Sequence, residues 1–169
     1  MTTAFDEPRE LCDLYDRDGT PAGRIIARGE PVPAGLYRMV AGVLCIHADG
    51  DILLMQRHPD KPTHPGKYEA SASGSVLAGE TAARAAIREL REETGLDCGA
   101  VSPLYEEADE SRLYRGFLAR VDCDKNSIRL QPGETVAFCW VTKAKLAELL
   151  MQDPSPVILH QGLLRYLGL

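Results

Sequence analysis

The sequence lacks a long hydrophobic run, an excess of basic residues and any closely spaced pair of cysteines. No apolar run approaches the roughly 18 residues that a membrane-spanning helix requires, and the acidic first ten residues predict no secretory signal. The 169 residues include 19 lysines and arginines against 25 aspartates and glutamates, which gives a net charge of −6. Because nucleic-acid and membrane-surface binders normally carry a basic stripe, we expect neither a nucleic-acid polymer nor a membrane as a partner.

The five cysteines are scattered along the chain, and none forms a Cys-x-x-Cys pair. An odd number at such spacing supports neither a zinc site nor a disulfide framework. We therefore expect free thiols in a reducing, cytoplasmic setting. Hydrophobic residues make up 44% of the chain and charged residues 26%, which is ordinary for a globular protein, and the length suits a single domain.

Short apolar runs separated by turn-forming residues predict a chain dominated by strands. Runs at 11–15 and 24–27 flank a turn-rich stretch and predict a hairpin. Further strands are predicted at 39–47, 52–57, 101–105, 112–121 and 135–141, and helices at 81–94, 143–151 and 157–167. This pattern favours an α/β (α+β) fold, a mixed sheet between helices, organised as an N-terminal hairpin extension over 1–35 and a domain over 36–169.

Three glutamates of the central predicted helix share one helical face. Glu89, Glu92 and Glu93, called here the box glutamates, are spaced at i, i+3 and i+4. Like charges at this spacing weaken a helix, whereas Mg²⁺ favours oxygen ligands that include one or two carboxylates. Taken alone, the cluster also fits a solvated helix face neutralised by neighbouring arginines.

The residues around the box glutamates favour the metal-binding interpretation. Gly74 is followed after five residues by Glu80, and after seven more by Arg88-Glu89-Leu90-x-Glu92-Glu93-x-Gly95-Leu96. This matches, at all nine defined positions of a 23-residue stretch, the signature GX5EX7REUXEEXGU of the Nudix hydrolases, where U is aliphatic. The chain is identified as a member of this superfamily, with the resemblance extending over about residues 37–150.

The resemblance implies a Nudix fold and a role for each matched residue. It implies that the box glutamates bind Mg²⁺, or alternatively Mn²⁺, and that one of them helps to activate the attacking water. Arg88 corresponds to an arginine that positions the catalytic glutamate, and Glu80 to a glutamate that braces the loop. Gly74 lies where the family's backbone approaches metal or phosphate. The implied activity is hydrolysis of a diphosphate linkage in a small molecule, with nucleotides as the leading class.

Residues outside the box are less well defined by the pattern. Many members of the family use a further glutamate as ligand or base, for which Glu134 is the first choice. The other candidates are Glu106, Glu107 and Glu110. Arg57 and Lys67 flank a proline-rich loop and are predicted to contact substrate phosphate, and Lys61 and His64 of the same loop are further candidates.

Two other functions stay open on the sequence. The N-terminal hairpin, together with Gln56-Arg57 and Pro65-Gly66-Lys67-Tyr68, resembles the branch that contains type I isopentenyl diphosphate isomerases, which move a double bond by proton transfer. Their chemistry uses a cysteine where this chain has Ser73, a nearby histidine that 74–76 lacks, and a glutamate whose counterpart falls at Arg112, with Glu110 close by. Serine is a far poorer proton donor near neutral pH.

The second alternative is a non-catalytic Nudix binding module. Such modules usually lose box glutamates, and none is lost here. The apolar run 158–169 fits packing on the sheet or a homodimer contact. The sequence does not identify the group attached to the diphosphate.

Overall fold

An N-terminal hairpin joins the main sheet, as the turn-rich stretch predicts. The computed structural model describes residues 10–169. The expectation that the first ten residues form no secretory signal concerns a segment that, apart from residue 10, lies outside the described residues. Strands β1 (Leu11–Tyr15) and β2 (Pro21–Ala27) pair antiparallel, and β1 also pairs with β3 (Tyr37–His47). The predicted hairpin is confirmed, and it is continuous with the sheet that follows.

Strand β3 is the centre of a mixed sheet that has nine strands within residues 10–169. It pairs antiparallel with β1, β4 and β6 and parallel with β8. The remaining strands are β4 (Ile52–Arg57), β5 (Tyr68–Glu69), β6 (Ala72–Ser75), β7 (Val101–Ala108), β8 (Arg112–Val121) and β9 (Thr135–Val141). Strands β5 and β6 have no counterpart among the predicted strands, because segments of two and four residues are too short to give a period-two pattern.

Helices cover the two faces of the sheet, which confirms the predicted sandwich. Odd-numbered residues of β3, such as Ala41 and Val43, share a core with helix α1 (Ala82–Thr94). Even-numbered residues, such as Leu44, pack with α2 (Lys143–Leu150) and α3 (Gln161–Leu167) on the other face. This division follows from the alternation of side chains along a strand. No helix of residues 10–169 is both long and apolar enough to span a membrane.

Helix α1 has defined ends that agree with its prediction from sequence. The Thr81 hydroxyl accepts a hydrogen bond from the Arg84 amide (3.3 Å), and Gly95 ends the helix with a left-handed backbone (φ 74°). Helix α3 begins at Gln161, four residues later than predicted. The reason is that Val157 forms a β-bridge with Tyr68, so this apolar residue is extended rather than helical.

The hairpin holds the loop that precedes α1. The Ala78 amide donates to the Leu11 carbonyl (2.8 Å), and the Gly79 amide donates to the Asp13 carboxylate (2.7 Å). This loop connects Gly74 to the helix that carries the box glutamates. By holding the loop, β1 therefore fixes the position of that helix relative to Gly74.

Candidate active site

A glycine lets a helix carboxylate lie directly against the sheet. Gly74 lies in β6, and a Cβ atom built on it would overlap the Glu89 carboxylate. The Glu89 side chain is only 13% exposed, and burial raises its pKa, although the neighbouring Arg88 opposes this. The absence of a side chain at position 74 is therefore what brings the acidic helix and strand β6 into contact.

Arg88 connects the loop, the strand and the helix. Its guanidinium donates two hydrogen bonds to Glu80 (2.9 and 3.0 Å), one to the Ser75 carbonyl (3.0 Å) and one to Glu89 (2.7 Å). A further contact reaches Glu92 (3.2 Å). Burial disfavours the charged form of Glu80, but hydrogen bonds from Arg88 and the Leu77 amide outweigh it and lower its pKa. The planar fork of arginine supplies this geometry, which lysine lacks.

Glu93 is a buried carboxylate among other carboxylates. It is 5% exposed, and within residues 10–169 it makes no ion pair. Burial raises its pKa well above the usual range, and the negative charges of Glu69, Glu89 and Glu134 raise it further. Such a group is favourable when a cation offsets the repulsion.

The donor set is suited to a hard divalent cation. Glu89 and Glu93 are carboxylates that desolvation and mutual repulsion disfavour, and oxygen donors of this kind match Mg²⁺. Within residues 10–169 no group of three or more acidic, histidine or cysteine side chains is already arranged as a metal site. Glu89 and Glu92 contact Arg88 through one oxygen each, which leaves the other carboxylate oxygen of each residue for a cation.

A cavity of about 400 Å³ lies beside β6 on the face of the sheet that carries α2 and α3. Gly74 lines it together with Ser73 and Ser75. The cavity also contains Glu69 and Glu134, whose charges raise the pKa of the box residue Glu93. Basic side chains from distant parts of the chain converge on it: Arg28, Arg38, Arg57, Lys61 and Arg112. In a protein with a net charge of −6, this concentration of positive charge favours an anionic ligand.

Comparison with known proteins decides the family. The family model described as the NUDIX domain matches residues 36–161. The chain belongs to the Nudix hydrolase family. A Nudix hydrolase of Rhodococcus erythropolis (orf19) is 36% identical over 166 residues, which cover 92% of this chain and 89% of that protein.

One further relative indicates the branch of the family, and one solved structure indicates the fold. An isopentenyl-diphosphate delta-isomerase of Paenarthrobacter aurescens is 27% identical over 156 residues, covering 86% of this chain and 83% of that enzyme. The crystal structure of DR0079 from Deinococcus radiodurans superposes with a TM-score of 0.66 at 24% identity, covering 82% and 90% of the two chains. The Nudix fold and the branch inferred from the sequence are both confirmed.

Among the four glutamates proposed outside the Nudix box, the structure brings one to the cavity. Glu134 lines it, contacts the Lys61 ammonium and influences the pKa of Glu93. Glu106 pairs instead with Arg115, and Glu107 accepts from the Gly162 amide. Glu110 is exposed in the turn between β7 and β8. The geometry therefore favours Glu134, the first choice from sequence.

The two basic residues predicted to contact substrate differ in position. Arg57 lines the cavity and donates to Glu69 at 2.9 Å. Lys67 lines a neighbouring hollow rather than the cavity itself. His64 borders both spaces, and burial, together with the charges of Arg57 and Lys67, lowers its pKa.

Glu69 and His160 line the cavity but had no signal in the sequence. Glu69 is 7% exposed, and it receives hydrogen bonds from Arg57 and the Ser73 hydroxyl. Tyr105 stacks on His160 with ring centroids 5.6 Å apart, and a Cβ atom on either Gly116 or Gly162 would overlap its ring. The two glycines lie in β8 and α3, whereas Tyr105 lies in β7. Because the contact joins three separate elements, no single segment of the sequence predicts it.

Proposed function

We propose that this Nudix hydrolase cleaves a diphosphate linkage in a small-molecule substrate bound in the cavity, using Mg²⁺ or alternatively Mn²⁺. Nucleotides and nucleoside diphosphate derivatives are the substrate class to test first. The proposal places the metal on Glu89, Glu92 and Glu93, with Glu134 as a further ligand. When bound, the metal supplies charge neutralisation and a water of lowered pKa.

The observation that carries this proposal is the contact between Gly74 and Glu89. It joins the acidic helix to a strand whose residues line a cationic cavity, and Glu69 and Glu134 of that cavity are close enough to Glu93 to raise its pKa. In the proposal, the substrate's anionic group extends from the cavity past this strand to the carboxylates. Phosphoryl transfer depends mainly on positioning and charge stabilisation, and both are supported by this arrangement.

The chain's own residues have distinct roles in the proposal. Arg88 orients Glu89 through their 2.7 Å hydrogen bond. The Glu89 carboxylate is thereby held in one position, from which it can help to activate the attacking water. Arg57, which lines the cavity, contacts an outer phosphate. We place Lys67 at the entrance, since it lines the adjoining hollow. The extension 1–35 contributes Arg28 to the cavity rim.

Substitution of Glu93 tests the metal site directly. Glu93→Gln keeps the size of the side chain but removes a charge, so we expect the Mg²⁺-dependent kcat to fall about 10²–10⁴-fold, equivalent to several kcal/mol of stabilisation. Release of phosphate or nucleoside monophosphate from a panel of nucleotides and sugar nucleotides provides the measurement. Glu110→Gln, an exposed turn residue, is the matched control and should retain full turnover.

The isomerase-like relative supplies a second candidate function that the same protein preparation can test. Here the Ser73 hydroxyl donates to Glu69, and its high pKa makes it unsuited to proton transfer. We therefore expect no double-bond migration when isopentenyl diphosphate is incubated with the protein and Mg²⁺. Migration without release of phosphate would overturn the hydrolase proposal and favour the isomerase.

A further inference from the structure

The basic residues of the cavity fall into two groups that differ in their partners. Arg57 is paired with Glu69, Lys61 with Glu134, and Arg28 with Glu10. Arg38 and Arg112 form no ion pair with any residue of the described chain. Two arginines that are left uncompensated in one cavity, while its other basic residues are paired, indicate a site for an external anion.

The register of the sheet places these two arginines side by side. Arg38 of β3 and Arg112 of β8 are direct partners in the parallel ladder, and neighbouring strands lie about 4.8 Å apart. Both side chains line the same cavity. Like charges at directly opposed positions destabilise a sheet, so an anion between the guanidinium groups would relieve the repulsion.

The hydrogen bonds of the pair are also incomplete. The Arg38 Nε is buried and has no hydrogen-bond partner among the described residues, which is costly for a polar group. Within residues 10–169, the Arg112 guanidinium donates only to the Tyr114 hydroxyl, at 3.4 Å. The nearby Asp109 carboxylate is occupied by the Ser111 and Arg112 amides and by the Tyr114 hydroxyl. The two guanidinium groups thus retain donors for oxygen acceptors.

We infer that Arg38 and Arg112 form a second oxyanion subsite, which binds a phosphoryl or carboxylate group of the substrate. Gly74 is opposite Ala41 in the sheet. Arg38 is three residues from Ala41 along β3, which corresponds to a distance of about 10 Å. The group bound there is therefore a part of the substrate beyond the phosphate at the Nudix box. The inferred substrate class is a diphosphate compound that carries an additional oxyanion. The diphosphate part of this inference rests on the proposed function.

Calorimetric titration with inorganic phosphate, in buffer containing EDTA, tests the subsite without the metal. We expect phosphate to bind the wild-type protein and to bind Arg38→Gln and Arg112→Gln at least about tenfold more weakly, because each loses a charge-assisted hydrogen bond. Arg24→Gln is the matched control, since Arg24 is exposed on β2 outside the cavity, and it should bind as the wild type does. Thermal melting establishes that each variant is folded. If one of Arg38→Gln and Arg112→Gln does not fold, the other suffices for the comparison.

The outcomes separate this inference from the proposed function. Equal phosphate affinity in all four proteins, or no phosphate binding by the wild type, would overturn the subsite. Acetate titration distinguishes the two oxyanions, since binding of acetate at comparable affinity identifies a carboxylate and selective binding of phosphate identifies a phosphoryl group. Glu92→Gln should lose hydrolysis but keep phosphate binding. Phosphate binding that depends on Arg38, in a protein without hydrolase activity, would leave the subsite standing and refute the hydrolase.

Discussion

At the scale of single residues, the space above Gly74 determines whether Glu89 can occupy its position. The backbone there does not require glycine for its torsion angles, since position 74 is not among the glycines with positive φ, so the constraint is the overlap of a methyl group with the carboxylate. We expect Gly74→Ala to fold normally and to lower kcat about 10–100-fold by displacing Glu89. Steady-state hydrolysis assays measure this.

Gly99→Ala is the matched control for this substitution, because a methyl group there meets no atom within 4 Å. The double variant Gly74→Ala/Glu89→Gln should be little worse than Glu89→Gln alone, as expected for residues in contact. Fully additive losses would show that Gly74 acts independently of Glu89.

At the scale of secondary structure, α1 and the loop before it form one unit held by Arg88 and β1. The five contacts of Arg88 reach two glutamates of the helix, Glu80 of the loop and the Ser75 carbonyl of β6. Arg88→Lys should lower the free energy of unfolding by about 1–3 kcal/mol and kcat by about 10–100-fold, because an ammonium group cannot reproduce the fork.

Urea denaturation and hydrolysis assays measure the two effects of Arg88→Lys. Arg84→Lys, at an exposed position of the same helix, provides the control and should change neither. A variant that loses stability but retains kcat would indicate that Arg88 supports the loop without orienting Glu89.

At the scale of the whole molecule, an acidic protein concentrates basic side chains in its cavity and three carboxylates on one face of helix α1. The buried carboxylate of Glu93 is disfavoured by burial and by three neighbouring carboxylates, so metal binding should stabilise the fold. We expect Mg²⁺ at 100 times its Kd to add about 2.7 kcal/mol, or a rise in Tm of about 5–10 °C, which EDTA reverses.

Glu93→Gln provides the matching variant for thermal melting. Without metal, its Tm should equal or exceed that of the wild type, because a repelled buried charge has been removed. Its response to Mg²⁺ should be largely lost. A metal-free Tm well below that of the wild type, with a full Mg²⁺ response, would place the metal elsewhere.

The elements that were predicted correctly are those whose signal is local. The hairpin at 11–27, the strand at 112–121 and helix α1 each carry their period and their end signals within one segment. Strands β5 and β6 and the late start of α3 were not predicted, because they depend on pairing with distant residues such as Val43 and Val157.

The same distinction applies to the candidate site. The amino-acid sequence by itself determined the Nudix box, since the pitch of a helix fixes which of its residues share a face. Only the tertiary structure decided that Glu69 and Glu134 lie near Glu93, that Arg38 is opposite Arg112, and that Lys67 lies in the adjoining hollow. The physical reason is that strand register and loop closure, which join positions far apart in the chain, leave no periodic trace in any one segment.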